Sequence, residues 1–299
     1  MVYLALSILS SSIIFVVFKL FVRYRVETFY AIVVNYLVAG TVATAFYKGE
    51  VAPSEIIASS WFIGTVCLGV LFIVVFNLMA ATSQRLGVSV ASVATKMSLA
   101  IPVVFGVLVY KEELGALKII GIVLALAAVY FTSIKRKSGK PLLGVDNPDR
   151  EFTPSTYLIL PLLVFLGSGI IDTSIKYVQE YHIDEAEYPL FSATVFASAA
   201  ATGVLLTIVK SFRGALKINL RNILGGIALG VPNYFSIYFL LKALRNDTLN
   251  SASVFTINNV AIVMFTTLLG ILLFKEQISA KNWGGIALAV LSILLVAFF

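Results

Sequence analysis

Charge is what this sequence is short of. Only 12% of its 299 residues are Asp, Glu, Lys or Arg, about half the share of an ordinary soluble domain. Hydrophobic residues make up 60%, more than a soluble fold of this length can hide without large exposed patches. A bilayer removes that constraint, because its hydrocarbon core is itself the apolar solvent. There is one cysteine, Cys67, which excludes an intrachain disulfide and any Cys-based metal motif. The one histidine, His182, lies in an acidic loop, so His-Glu-x-x-His chemistry is excluded as well. No Gly-x-x-x-x-Gly-Lys-Ser/Thr loop occurs, and no paired carboxylates fall within the apolar runs. These absences argue against an enzyme, an ATP-driven pump, a bound metal or a cofactor.

A positive balance remains, with a formal net charge of +7. It does not read as a nucleic-acid surface, because the Lys and Arg residues stand between hydrophobic runs and form no single stripe. Loops that meet anionic lipid headgroups account for it better. Met1 to Phe18 has no basic residue ahead of its apolar run, so it reads as a spanning helix and not as a secretory signal.

A helix crosses the hydrocarbon layer with roughly 20 mainly apolar residues. That window predicts ten spans, near 2–21, 28–47, 60–82, 87–110, 116–134, 156–178, 187–209, 222–244, 248–273 and 281–298. The runs are continuous where barrel strands would alternate, so the expected fold is an all-α integral membrane protein. Residues 135–155 are polar and rich in Gly, Pro and charge, and read as a linker between halves 1–134 and 156–299.

The halves echo each other. Ser10 to Lys19 (SSSIIFVVFK) aligns with Gly167 to Lys176 (GSGIIDTSIK), and Val90-Ala91-Ser92-Val93 with Ser251-Ala252-Ser253-Val254. Lys111-Glu112 with Gly121-Ile122 aligns with Lys275-Glu276 and Gly285-Ile286. Five helices per half force the second copy to enter the membrane from the opposite side, an inverted-topology repeat of the kind secondary transporters use. Loops after the odd-numbered helices hold 15 of the 22 Lys and Arg, against 6 after the even-numbered ones. The positive-inside rule then places the first set in the cytoplasm and both termini outside.

In these features the chain resembles the EamA-type transporters of the drug/metabolite transporter superfamily. The resemblance rests on the ten-helix plan, the small-residue stretches ending in Lys19 and Lys176, the Ala-Ser-Val openings of helices 4 and 9, and the Lys-Glu-x8-Gly-Ile junctions. It implies a multi-pass protein of the inner (cytoplasmic) membrane that moves amino acids or other small metabolites, often outward, through a cavity between the halves. The family's usual helix-4 proline is present as Pro102, whereas Val260 to Thr267 in helix 9 has none.

Two ionisable residues stand deep within predicted spans, Lys96 and Asp172. Each costs about 2.5–3.5 kcal/mol to insert at a helix centre, so it should face a cavity or a partner. Lys96 suits an anionic substrate group, and Asp172 a substrate ammonium or a cycling proton. A structural bridge between the two is the competing account. Gly167-Ser168-Gly169 before Asp172 is expected to loosen its helix. Asn35, Asn77, Thr95, Ser168, Asn233, Tyr234, Asn258 and Asn259 mark a similar depth on other helices and are candidate cavity-lining residues. Lys19 and Lys176, near helix ends, fit either snorkelling to headgroups or a gating role. Glu112 and Glu276 fit a structural role at the start of the helix that follows each.

The leading expectation is therefore a secondary transporter of small metabolites, monomeric or homodimeric, with proton coupling through Asp172 left open. The alternatives are an exchanger of anionic metabolites, organic phosphates or nucleotides, held by Lys96, and a channel-like membrane protein.

Overall fold

The computed structural model describes residues 1–46, 53–110, 115–134, 154–183, 187–212, 219–244 and 251–298. Among them there are twelve helices and no strand. In the first half these are α1 (Val2–Arg23), α2 (Thr28–Phe46), the short α3 (Pro53–Ala58), α4 (Phe62–Leu86), α5 (Val88–Met97), α6 (Ala100–Tyr110) and α7 (Ala116–Ser133). The second half has α8 (Pro154–His182), α9 (Tyr188–Ser211), α10 (Leu220–Leu244), α11 (Ser251–Phe274) and α12 (Ala280–Phe298). Ten spans are long and apolar enough to cross a membrane, with α5 and α6 sharing one. Every backbone polar group in hydrocarbon needs an internal partner, which is why these apolar runs are helical. The outward faces are bare and apolar, with Ile63 and Leu108 each about three-quarters exposed, as lipid contact requires.

Helix packing carries the repeat. Counting α5 and α6 as one span, α1 corresponds to α8, α2 to α9, α4 to α10, α5–α6 to α11 and α7 to α12. Helix α1 packs on α10 as α8 packs on α4, and α2 packs on α10 as α9 packs on α4. The pair α1 and α11 is matched by α8 with α5 and α6. The pairs α7–α12, α2–α9 and α5–α11 join equivalent helices across the pseudo-two-fold. Each half alone would leave these faces uncovered, so the halves form one packed unit.

Two devices bring the halves close. At Gly230 of α10 a Cβ would lie 2.7 Å from the Asn35 carbonyl of α2, and Gly226, one turn earlier, faces Val34 and the Ala31 carbonyl. This Gly-x-x-x-Gly stripe lets α10 rest on the α2 backbone. Polar side chains then tie the contact. Asn233 Nδ2 donates to Asn35 Oδ1 at 3.2 Å, and the Glu27 amide donates to Asn222 Oδ1 at 2.9 Å, holding the α1–α2 turn to α10.

The fourth span departs from the continuous helix expected over 87–110. It breaks at Ser98–Leu99, between α5 and α6. Pro102 supplies the reason, since it has no N–H to return to the Ser98 carbonyl and the helix cannot run through in register. The Ile101 amide takes that carbonyl at 2.9 Å instead. A second difference concerns Gly167-Ser168-Gly169. Helix α8 runs through them unbroken, and the glycines make room for Val75 and for Ile101 at the start of α6. They serve close packing and do not loosen the helix.

Candidate substrate site

The break in the fourth span is the centre of the site. Helix α5 ends at Met97, which puts Lys96 in its last turn, where the negative end of the helix dipole favours a cation. The Ser98 hydroxyl reaches the Thr95 carbonyl at 2.6 Å and Asp172 Oδ2, on α8, at 3.3 Å. Its single hydrogen serves one of them at a time. Lys96 and Asp172 couple electrostatically across this gap. Gly169, one turn before Asp172, lies under Ile101 and brings α8 against the start of α6.

Lys96 is half-buried and Asp172 is exposed. The contact of Asp172 Oδ2 with buried Ser98 turns this carboxylate toward the fourth span. A lysine at a helix break facing an open carboxylate can receive opposite charges on one small solute. Discontinuous helices hold substrate in this way in inverted-repeat carriers.

The other candidates divide into groups. Thr95 Oγ1 bonds the Ala91 carbonyl at 2.9 Å within α5, beside Lys96. On α4, half-buried Asn77 donates to the Ile73 carbonyl of its own helix at 2.7 Å. Ser168 and Thr173, flanking Asp172 on α8, are buried with hydroxyls that have no hydrogen-bond partner among the described residues. Asn259 is half-buried on α11.

Asn35, Asn233 and Asn258 belong to a polar chain that crosses four helices. Ser7 Oγ lies 3.2 Å from Asn258 Oδ1 and 2.9 Å from the Ser236 carbonyl. Ser236 Oγ donates to the Asn233 carbonyl at 2.8 Å, and Asn233 continues to Asn35. The buried Asn35 side-chain NH2 has no acceptor among the described residues. Tyr234 stands apart in an aromatic cluster, stacked on Tyr238 at 5.8 Å and tilted against Phe46 at 5.8 Å.

Of the residues near helix ends, Lys19 does not snorkel. It is buried, and its Nζ donates to the Gln84 carbonyl at 2.9 Å at the end of α4. Its electrostatic partner is Glu276. Glu276 does fit a helix N-terminus, but that of α5 in the other half and not that of α12, which follows it. Its Oε1 accepts the Val88 amide at 2.9 Å and its Oε2 the Ser89 hydroxyl at 3.3 Å. Burial pushes the Glu276 carboxyl up from its ordinary value, opposed by the Lys19 charge and by the hydrogen bonds from Val88 and Ser89. Lys176 is exposed one turn beyond Asp172. Glu112 and the linker 135–153 lie outside the described residues.

Sequence reasoning gave no role to Ser98 or Thr266, and had Ser92 only as a polar residue at the depth of the candidate cavity. The hydroxyls of Ser92 on α5 and Thr266 on α11 meet at 2.7 Å, joining the two equivalent helices. Pro102 four residues after Ser98 was the one signal that could have marked the break.

Two inverted five-span halves around a broken, charged helix are the plan of a membrane transporter. The family comparison gives that class a name. Residues 1–134 and 155–298 match the model of the EamA-like transporter family, and the chain belongs to that family. A protein of Haemophilus influenzae described as uncharacterized is 30% identical over 227 residues, 76% of this chain and 72% of its own length. A chain of known crystal structure is similar over 97% of this chain and 95% of its own, with a TM-score of 0.56 and 17% identity, a likeness of fold. The protein is thus a multi-pass membrane transporter of small solutes.

Proposed function

We propose that this protein is a secondary transporter that moves small zwitterionic metabolites, amino acids and related solutes, outward across the cytoplasmic membrane by alternating access. The observation that carries the reading is the Lys96–Asp172 pair at the break of the fourth span. A solute carboxylate replaces Asp172 as the partner of Lys96, and its ammonium replaces Lys96 as the partner of Asp172. Charge at mid-span is balanced before and after binding, so neither empty nor loaded carrier leaves a lone buried ion. The halves then rock about the pseudo-two-fold and expose the pair to the other side.

The test is counterflow in proteoliposomes with radiolabelled amino acids and with organic phosphates. Saturable amino-acid counterflow, lost in both Lys96→Gln and Asp172→Asn, supports the proposal. Organic-phosphate exchange that needs Lys96 and survives Asp172→Asn would overturn it in favour of an anion exchanger. Flux without saturation would mark a channel.

A further inference from the structure

A cavity of about 630 Å³ opens between the last turns of α1 and the first turns of α10, far from the Lys96–Asp172 pair. Its wall is apolar, with Val17 and Leu20 on one side and Leu224 and Ala228 on the other. From Val17 to Arg23 the α1 wall spans seven residues, which is about 10 Å of helix. Three arginines close its mouth: Arg23, Arg25 and Arg221.

The arginines are held in place. Arg25 adopts φ 53, and the Val26 amide returns to the Phe21 carbonyl at 2.9 Å, so the turn after α1 is closed by its own backbone. The Glu27 amide on Asn222 Oδ1, with Asn222 fully buried, fixes that turn to α10. Arg221 stands in the first turn of α10, whose dipole adds positive potential. All three side chains are exposed, and none of the guanidinium groups has a hydrogen-bond or ion-pair partner among the described residues. At Gly225 a Cβ would come within 2.8 Å of Val26, so the glycine lets α10 pack closely on the turn after α1 at the floor of the groove.

The geometry points to a binding site for an anionic phospholipid, with one acyl chain in the groove and the phosphate under the three arginines. Charge complementarity selects the anionic headgroup, since guanidinium forks match phosphate oxygens. The apolar depth selects a lipid over a free anion. Basic pockets between membrane helices recognise such headgroups. A lipid seated there touches α1 and α10, one from each half, and so bears on how the halves move past each other.

The test uses the full-length protein purified in non-ionic detergent, with its melting temperature followed as lipid is added. Phosphatidylglycerol is compared with phosphatidylcholine of the same chains and with inorganic phosphate. The expected result is a dose-dependent rise with phosphatidylglycerol alone, by preferential binding to the folded state. Replacing Arg23→Gln, Arg25→Asn and Arg221→Gln weakens apparent affinity by about fivefold per arginine. Exposed positions such as these leave the lipid-free melting temperature nearly unchanged. Ala228→Phe, which fills the groove and keeps every charge, abolishes the shift measured against its own lipid-free baseline. Equal shifts with phosphatidylcholine, or a shift with phosphate alone, would overturn the assignment. So would Ala228→Phe retaining the full phosphatidylglycerol effect, which would reduce the arginines to general surface attraction.

Discussion

Glu276 Oε1 accepts the backbone amide of Val88 at 2.9 Å, so a carboxylate from the second half closes the first turn of the helix that carries Lys96. The turn it caps is abrupt. Gly87 sits at φ 121, between the end of α4 and the start of α5, and a Cβ there would come within 2.9 Å of the Glu276 carboxylate. Lys19 completes the corner by binding the Gln84 carbonyl of α4 and facing Glu276. The cap supplies an acceptor for an amide that α5 cannot satisfy itself. It also ties the position of α5 to the α11–α12 junction, so the two halves share one fixed point at the opposite end of α5 from Lys96.

Removing that cap should be felt in stability first. Glu276→Ala strips acceptors from Val88 and Ser89 and is expected to cost about 1–2 kcal/mol. Glu276→Gln keeps one acceptor oxygen and should lose less than half of that. Chemical-denaturant or thermal unfolding in detergent separates the two. An Ala variant as stable as the parent would show that the corner is held by something else.

The raised Glu276 carboxyl also has a pH signature. A carboxyl raised in the folded state binds its proton more tightly there than in the unfolded chain. Between the ordinary glutamate value and the raised one, the folded protein holds more protons, so its stability falls as pH rises through that window. Glu276→Gln cannot titrate and should lack this component. Melting temperature against pH for both proteins gives the difference curve. A parent curve parallel to the Gln curve through the window would contradict the direction of the shift.

What the sequence made legible was what depends on length and composition. All ten spans were readable because hydrocarbon thickness dictates their length, and the order of repeated motifs gave the halves and their inversion. Lys96 and Asp172 stood out as candidates because charge within a span is costly enough to be rare. Partners across the pseudo-two-fold were not readable. Nothing local says that Glu276 turns back to α5 when the N-terminus of α12 is nearer in the chain, or that Lys19 points inward when its place near a helix end permits snorkelling. The asparagines illustrate the same limit. Asn35 and Asn233 have the residue type of a cavity lining, and only their neighbours in space reveal the bond between α2 and α10.

Close approach of α10 to α2 predicts a sharp contrast between glycines. Gly230→Leu places side-chain atoms where the Asn35 carbonyl and Val38 lie, and is expected to cost about 1–3 kcal/mol through forced separation of the helices. Gly284→Ala meets nothing within 4 Å and should be neutral or slightly stabilising in its helix. Yield of folded protein and melting temperature check both. Tolerance of Leu at position 230 would mean that α2 and α10 are not held by backbone contact.

The break at Ser98–Leu99 predicts an uncoupling of stability from transport. Pro102 lies in the first turn of α6, where its missing N–H costs little, so Pro102→Ala should leave the melting temperature unchanged or slightly raised. The new amide at position 102 offers the Ser98 carbonyl a second donor and favours a continuous helix from α5 into α6. Mending the break would withdraw Ser98 from Asp172 and turn Lys96 away from it, because both owe their placement to where α5 stops. Turnover in proteoliposome counterflow should therefore fall several-fold while the protein stays folded. A second variant, Ser98→Ala, removes the hydroxyl between the Thr95 carbonyl and Asp172 without adding an amide. If the break itself matters, Pro102→Ala slows transport more than Ser98→Ala does. Equal and near-parental rates in both would remove the helix break from the mechanism.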